Sequence, residues 1–314
     1  MSGADKKKGG LKKKIVPPGA SDIGATGMRI VEITYRFEGQ DGPVRERPAD
    51  AVAAQRRMDG GSRAFAELFT GYGVETGPAR RVIPIDPCDL GLLQGGSAAP
   101  RQHPFAAVLG CSDARVPLEL IFNEGPNDLF VVRVAGNTLG DDVRGSLDYA
   151  LEHLAESLKL IVVLGHSGCG AVTAAVDVFL APAGYLALAS KHTVRAVVDR
   201  LLVVVHASAR RLEAALGPGI ARHPRYREAL IEMSVVTNAA LAAHTLQHEI
   251  EGGATDGVRV AYGVYVLADR SVWAPRCGGD EVIGLAAPPA NAEAFKEFGN
   301  AVLRSERIAA LLAT

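Results

Sequence analysis

The 314-residue sequence has few of the features that mark specialised classes of protein. Four cysteines are too few for the disulfide framework of a secreted scaffold, which leaves metal binding or catalysis as their expected use. The formal net charge of -1 argues against nucleic acid as a partner, because phosphate binding needs a basic face. The most apolar stretch of the C-terminal half, 201–205, lies between Arg200 and His206 and is too short to cross a bilayer. We therefore expect no membrane span.

Positive charge is concentrated near the N-terminus, where residues 6–14 read KKKGGLKKK. Such a run cannot be buried and is expected to be disordered. It could bind a protein partner or an anionic membrane, although a solvated tail is the simpler explanation. The lysines precede IVPPGASDIGATG rather than the apolar segment of a secretory signal, so we expect a cytoplasmic protein.

Changes of pattern divide the chain into four segments. They are, in order, a basic disordered extension, a helical arm with an irregular connection, an α/β domain and a helical extension: residues 1–47, 48–101, 102–275 and 276–314. In the first segment, the β-prone run MRIVEITYRF at 28–37 predicts a short strand. In the second, the pattern predicts two helices separated at Gly60 and Gly61, followed by an irregular stretch over 71–101.

Three short, valine-rich apolar runs predict the strands of a parallel sheet that is buried on both faces. They are FAAVLG, LFVVRVAG and LIVVLGH, at 105–110, 129–136 and 160–166, and helical patterns separate them. A further run, VRVAYGVYVL at 258–267, is followed by a turn and by SVWAP. This alternation indicates βαβ crossovers. The predicted fold class is α/β, with about four parallel strands, an antiparallel edge strand and flanking helices.

Two cysteines and a histidine fall just past the carboxyl ends of predicted strands, which is where open α/β sheets carry their functional sites. Cys111 follows the first run, His166 closes the third, and Cys169 begins the next helix. Two thiolates and one imidazole form a soft ligand set that favours zinc over magnesium or calcium. Three protein ligands leave one position for water, which is the pattern of a catalytic zinc site.

The motif CSDAR at 111–115 adds a charged pair beside the first candidate ligand. Zinc lowers the pKa of a bound water from about 15.7 to about 7, so that a hydroxide forms at neutral pH. Two thiolates weaken this effect, and a nearby polar group should compensate. Asp113 can accept the hydrogen bond of the hydroxide, and Arg115 can hold Asp113 in position through a paired contact.

Two motifs, CSDARVP at 111–117 and GHSGCGAV at 165–172, resemble the signatures of the β-class carbonic anhydrases. The resemblance covers roughly 50–275 and includes GGSRAF at 60–65, DLFVVRVAGN at 128–137, SLDYALEHL at 146–154 and VAYGVYVLADRSV at 260–272. It implies a β-carbonic anhydrase-like fold and Zn2+ as cofactor. It also implies the reversible hydration of carbon dioxide to bicarbonate and a proton, by attack of zinc-bound hydroxide.

The same resemblance implies a role for each motif residue. The zinc ligands would be Cys111, His166 and Cys169, and the catalytic pair would be Asp113 and Arg115. The substrate-binding residues would be Gln102, Phe130, Ala135, Tyr149, Gly168 and Gly170. Phe130 and Tyr149 would line the carbon dioxide pocket, which Ala135 would widen because the family often has valine there. The N–H groups of the turn at 168–170 would orient bicarbonate.

Gln102 corresponds to a glutamine that reaches across a dimer interface, so the resemblance implies a homodimer or a larger homo-oligomer. One branch of the family turns its aspartate onto zinc and carries tryptophan three residues before the first cysteine. Val108 stands at that position, which favours the other branch. The connection 71–101 is longer than the family pattern leads us to expect.

Two other functions stay open. Carbonyl sulfide and carbon disulfide hydrolases share this ligand set, and the wider pocket implied by Ala135 keeps them as alternatives. The chain could also be a non-catalytic scaffold or recruitment protein in which residues 1–47 bind a partner and zinc is structural. The pair Asp113 and Arg115 argues against a loss of activity.

Four further residues have a simpler explanation than metal binding. Cys88 and Cys277 have no partner at ligand spacing and are expected to be free thiols. His244 and His248 are one helical turn apart, but they lack the glutamate of an HExxH motif, so an ordinary helix face is expected.

Overall fold

A computed structural model describes residues 30–37, 45–70, 78–92, 99–186, 192–252, 257–275 and 281–313. The lysine run at 6–14 and Cys277 lie outside these residues. The strands are β1 Val31–Phe37, β2 Ala79–Ile85, β3 Ala106–Gly110, β4 Leu129–Arg133, β5 Leu160–His166, β6 Arg259–Tyr265, β7 Val272–Pro275 and β8 Glu281–Ile283. The helices are α1 Ala51–Phe69, α2 Leu118–Phe122, α3 Asp141–His153, α4 Gly170–Leu180, α5 His192–Leu216, α6 Tyr226–Glu251, α7 Ala292–Arg304 and α8 Glu306–Leu312.

Six of the strands form one sheet in the order β4-β3-β5-β6-β7-β8. The first four are parallel, which confirms the predicted number, and β7 and β8 add antiparallel strands at the β6 edge. One antiparallel edge strand was predicted, and the second comes from 281–283. The segment 276–314 is therefore not purely helical as predicted, because it completes the sheet of the α/β domain.

The side chains of the central strands alternate between two apolar layers. On β3, Ala107 and Leu109 pack into the layer that contains residues of α3 to α7. Their neighbours Ala106 and Val108 pack into the opposite layer, with residues of α1 and α2. Because both faces are covered, β3 and β5 lie in the interior, and their carboxyl ends lie between the two layers.

Helix α1 runs without interruption through Gly60 and Gly61, so the predicted break at these glycines is wrong. A Cβ atom at Gly61 would lie 1.8 Å from the carbonyl oxygen of Phe122, at the end of α2. The absence of a side chain therefore allows α1 and α2 to approach each other closely.

The stretch 71–101 is also more regular than predicted, because it contains β2. This strand pairs in parallel with β1, in a separate two-stranded sheet. The short strand predicted at 28–37 is confirmed over Val31–Phe37.

Helix α6 has 26 residues and is long and apolar enough to cross a bilayer by length and composition alone. In this fold, 72% of the most apolar 18-residue stretch of α6 is buried inside the protein. The helix packs there against β5, β6 and α5. It has the burial of a core helix, which explains its apolar composition.

Candidate metal centre

Cys111, His166 and Cys169 meet at the carboxyl edge of the parallel sheet. Cys111 follows β3, and His166 ends the hydrogen-bonded neighbour β5. Cys169 directly precedes α4, after a turn at Gly168, whose φ of 61° favours glycine. All three side chains are buried, and their donor atoms lie within 4.8 Å of one another. The structure therefore brings the three predicted ligands together.

The environment of His166 fits a metal ligand. The side chain is fully buried, and its Nδ1 lies 3.1 Å from the carbonyl oxygen of Ser167. A carbonyl oxygen only accepts hydrogen bonds, so Nδ1 carries the proton and Nε2 presents a lone pair. Nε2 is buried and has no hydrogen-bond partner in the described part of the chain. A buried polar atom of this kind is rare unless it binds an ion or water.

The two thiols lie close enough to share one cation. Their Sγ atoms are 3.9 Å apart. The hydrogen bond from Cys169 and the N–H groups of Asp113 and Gly136 lower the pKa of Cys111 to about 4, against burial, which raises it. Donation to Cys111 in turn raises the pKa of Cys169. A divalent cation bound between the two sulfurs would favour the thiolate form of both cysteines.

Asp113 is held by Arg115 through both carboxylate oxygens. The backbone N–H and Nε of Arg115 each donate to Oδ1 at 2.9 Å, and Nη2 donates to Oδ2 at 2.7 Å. These bonds keep the pKa of Asp113 well below its usual range. Oδ2 also lies 3.8 Å from Nε2 of His166. An ionised carboxylate is therefore fixed beside the three ligand atoms, as the motif predicts.

Arg133, the last residue of β4, fixes the loop that carries this carboxylate. Its Nε donates to the carbonyl oxygen of Cys111 at 3.0 Å, and its Nη2 donates to that of Asp113 at 2.6 Å. The loop is thereby tied to the adjacent strand.

Two polar residues of α6 support the site, and sequence analysis did not identify them. Asn238 donates to the carbonyl oxygen of Gly136 at 2.9 Å, while the N–H of Gly136 lies 3.3 Å from Sγ of Cys111. Glu232 accepts from the N–H of Gly168 at 2.9 Å. The pKa of Glu232 is raised by burial, and its bond to that N–H lowers it in turn. The only sign of Asn238 and Glu232 in the sequence is that each is a polar residue within an apolar helix.

The two glycines predicted to orient bicarbonate differ in their surroundings. The N–H of Gly168 is already bonded to Glu232, so any contribution of this residue would come from its left-handed backbone. Gly170 is the first residue of α4, where helix N–H groups lack intrahelical partners, and no atom lies within 4 Å of its Cβ position. The predicted role therefore suits Gly170 better than Gly168.

Phe130 and Tyr149 form an aromatic wall between β4 and α3. Their ring centroids are 6.4 Å apart with an interplanar angle of 28°, and His153 stacks on Tyr149 at 4.4 Å. Ala135 lies in the short turn after β4. The side chain of Tyr149 is 44% exposed, so a single chain leaves this wall open on one side.

Gln102 lies outside the site of its own chain. It is exposed and precedes the amino end of β3, whereas Cys111 follows the carboxyl end of the same strand. This placement agrees with a role at a second copy of the chain, which stays a prediction.

Three of the other candidate residues, Cys88, His244 and His248, lie in the described part of the chain. Cys88 is a free thiol. His244 is placed next to the carbonyl oxygen of Pro289, 2.7 Å from its Nδ1, and packs edge-on against His248 and Phe295. Within the described ranges, the group at Cys111 is the only cluster of this kind that could hold a metal.

The chain is similar to known proteins. The family model for carbonic anhydrase matches residues 106–269. Carbonic anhydrase 2 of Mycobacterium tuberculosis is 35% identical over 176 residues, which cover 54% of this chain and 76% of that protein. A carbonic anhydrase of Mycolicibacterium smegmatis is 42% identical over 118 residues, or 36% of this chain and 56% of that protein. The solved structure of the β-carbonic anhydrase CcaA covers 60% of this chain and 79% of its own, with 25% identity and a TM-score of 0.43.

The family match extends over half of the chain. It includes the three candidate metal ligands, the pair of Asp113 and Arg115, and the strands that carry them. This chain therefore belongs to the carbonic anhydrase family and is an enzyme of its β class.

Proposed function

We propose that this protein uses zinc, held by Cys111, His166 and Cys169, to hydrate carbon dioxide reversibly to bicarbonate and a proton. The observation that carries the proposal is the buried, unpartnered Nε2 of His166 beside two thiol sulfurs, within 4.8 Å of one another. This donor set and its count of three suit a catalytic zinc site. Zinc bound there would act as a Lewis acid and lower the pKa of a water ligand to about 7.

Asp113 orients the reacting water. Because its carboxylate is kept ionised by Arg115, it can only accept a hydrogen bond. It therefore turns the O–H bond of the water toward itself and leaves an oxygen lone pair directed at the substrate. The three bonds from Arg115 also oppose a rotation of Asp113 onto the metal, which favours a site open to water.

Carbon dioxide binds against the aromatic wall of Phe130 and Tyr149, beside Ala135. The substrate has no net dipole, so an apolar wall suits it better than water does. Gly170 offers an N–H group to bicarbonate, and Gln102 of a second copy donates a hydrogen bond to a substrate oxygen. The active unit is accordingly a homodimer, which we place in the cytoplasm.

Stopped-flow hydration of carbon dioxide by the zinc-loaded protein tests this function. Asp113→Asn should lower kcat by roughly 10- to 100-fold, the usual effect of losing a group that orients a metal ligand. The matched control is Asp148→Asn, which makes the same chemical change at an exposed position of α3 and should leave the rate unchanged. Metal content measured on each sample separates lost chemistry from lost zinc.

Two outcomes would contradict the proposal. One is the absence of hydration by wild-type protein that contains one zinc per chain, and the other is a rate for Asp113→Asn equal to that of the control. Hydrolysis of carbonyl sulfide, assayed on the same samples, tells the two substrates apart.

A further inference from the structure

The sheet formed by β1 and β2 stands apart from the six-stranded sheet. A sheet of two strands is marginally stable by itself, and each of its edges presents unpaired N–H and C=O groups. The face that includes Ile33 and Ile83 packs toward the domain. Farther along β1, the side chains of Tyr35 and Phe37 are 40% and 48% exposed.

The two edges of this small sheet are not equivalent. The N–H of Ala79 donates to the carbonyl oxygen of Ile30 at 2.8 Å, so odd-numbered residues of β2 direct their backbone groups to β1. Pro84 therefore lies at a position whose backbone groups face the outer edge of β2. Because proline has no N–H group, that edge lacks a hydrogen-bond donor there and is less suited to pair with another strand. By the same alternation, the backbone groups that β1 directs to its own outer edge belong to Val31, Ile33, Tyr35 and Phe37. In the part of the chain that the structure describes, no strand pairs with this edge of β1.

The sequence of β1, VEITYRF, is complementary to itself when two copies run antiparallel about Thr34. In this register Glu32 of one copy faces Arg36 of the other, and Ile33 faces Tyr35. Opposite charges and pairs of a β-branched with an aromatic side chain are favourable directly across two strands. Ile33 and Tyr35, which face each other in this register, are also residues whose N–H and C=O groups point to the outer edge. The backbone hydrogen bonds and the side-chain pairs between the two copies therefore require the same register.

We propose that two copies of this chain join through the outer edges of β1, in antiparallel register about Thr34, to form a four-stranded sheet. Glu32 already accepts a hydrogen bond from Arg80 of its own chain at 2.7 Å. In the joined sheet it lies between that guanidinium and the guanidinium of Arg36 from the second copy. A second copy is the occupant because the complementarity is that of the strand with itself, which a two-fold axis through Thr34 satisfies.

Charge reversal tests the register. Glu32→Arg places like charges across the edge, as does Arg36→Glu, and each should halve the mass of the assembly in sedimentation velocity. The double variant E32R/R36E restores opposite charges between copies and should restore the wild-type mass. Arg80→Glu is the matched control, because it breaks the ion pair of Glu32 within the chain but leaves the edge intact, and its mass should stay at the wild-type value.

A cross-link tests the position of the two-fold axis. Residues facing each other without hydrogen bonds across an antiparallel pair have Cα atoms about 4.5 Å apart, which lies within the range that a disulfide spans. Thr34→Cys should therefore give a disulfide-linked dimer under mild oxidation. Val203→Cys, at an exposed position of α5, should not.

An unchanged mass for both single charge variants, together with no cross-link at Thr34, would overturn the proposal. A double variant that stays at half mass would overturn the antiparallel register. The proposal does not depend on the proposed function, because β1 carries none of the metal-site residues. Each charge variant should hydrate carbon dioxide at the wild-type rate, so a failure of catalysis and a failure of assembly give different results.

Discussion

Asn127 has a φ of 66°, and its side chain is bonded to the backbone on both sides of Gln102. Its amide donates to the carbonyl oxygen of Arg101 at 3.0 Å, and its Oδ1 accepts from the N–H of His103 at 3.0 Å. The amide also donates to Asp89 at 2.9 Å. Asn127 is thus a positioning residue for the segment that carries Gln102.

Asn127→Gly should weaken catalysis without changing the metal site. Glycine adopts the left-handed backbone without strain, so only the side-chain bonds are lost. A misplacement of about 1 Å can cost up to about 10²-fold, and we expect kcat/KM to fall roughly 10-fold with unchanged zinc content. Steady-state hydration kinetics measure this.

Asn123→Gly provides the control for this variant. Asn123 has a φ of 58°, and its side chain bonds to Arg81 instead of the segment around Gln102. Equal kinetics for the two glycine variants would show that support of Gln102 is not what Asn127 contributes.

At the scale of secondary-structure elements, a buried charge cluster attaches α1 to the loop after α2. Arg57 of α1 donates to both carboxylate oxygens of Glu124, which has no solvent exposure. Arg45 lies 3.0 Å from the same carboxylate, and Asp128 lies 3.0 Å from Arg57. Burial raises the pKa of Glu124 to about 7, although Arg57 and Arg45 lower it in turn and Asp128 raises it.

Arg57→Met should destabilise the fold more at high pH than at low pH. The folded pKa of Glu124 lies above its unfolded value of about 4.3, so the neutral form is favoured by folding. That stabilisation is complete below about pH 4.3 and is lost as the pH rises through about 7. Without Arg57 the pKa of Glu124 in the folded protein rises further. The destabilisation of the variant relative to the wild type therefore grows with pH and reaches about 3 kcal/mol at alkaline pH.

Urea unfolding of the variant and the wild type between about pH 5.5 and about pH 8.5 measures this difference. Arg56→Met, at the adjacent exposed position of α1, should have little effect at any pH. A destabilisation by Arg57→Met that is independent of pH would mean that the contact of its guanidinium with the Phe105 ring, 4.4 Å away, outweighs its charge.

At the scale of the whole molecule, one chain does not bring all the predicted site residues together. Gln102 and Cys111 stand at opposite ends of β3, a strand of roughly 16 Å at about 3.3 Å per residue. The aromatic wall is also open at Tyr149. Both features are expected of a site that a second copy completes.

Mixed dimers test this arrangement. Gln102→Ala retains the ligands but lacks the donor, and Cys111→Ser retains the donor but lacks a ligand. After subunits are exchanged in equal amounts, half of the dimers are mixed and each has one complete site. Activity should therefore recover to about a quarter of the wild-type rate, since catalysis is proportional to the number of intact sites.

The control for this experiment replaces Cys111→Ser with the double variant Q102A/C111S, which can supply neither group and should restore nothing. If Gln102 served its own chain, the original mixture would not recover either, because every intact metal site would still lack its glutamine.

The parallel strands, the cluster of three candidate ligands and the pairing of Asp113 with Arg115 could all be predicted from the sequence. Each depends on a short pattern: an apolar run buried on both faces, a position just past a strand end, or a spacing of two residues. The continuous helix at Gly61 and the strand in 71–101 could not be predicted. A glycine that ends a helix looks the same in sequence as one that allows close packing, and β2 is defined by a partner far along the chain.

The supporting residues were decided only by the tertiary structure. Glu232 stands 64 residues from Gly168, and Asn238 stands 102 residues from Gly136. No local pattern connects positions so far apart, because their contacts arise from the packing of α6 against β5 and β6. The sequence thus identified the candidate metal ligands, because each lies in a short motif just past the end of a strand, whereas the tertiary structure decided which distant residues hold them in place.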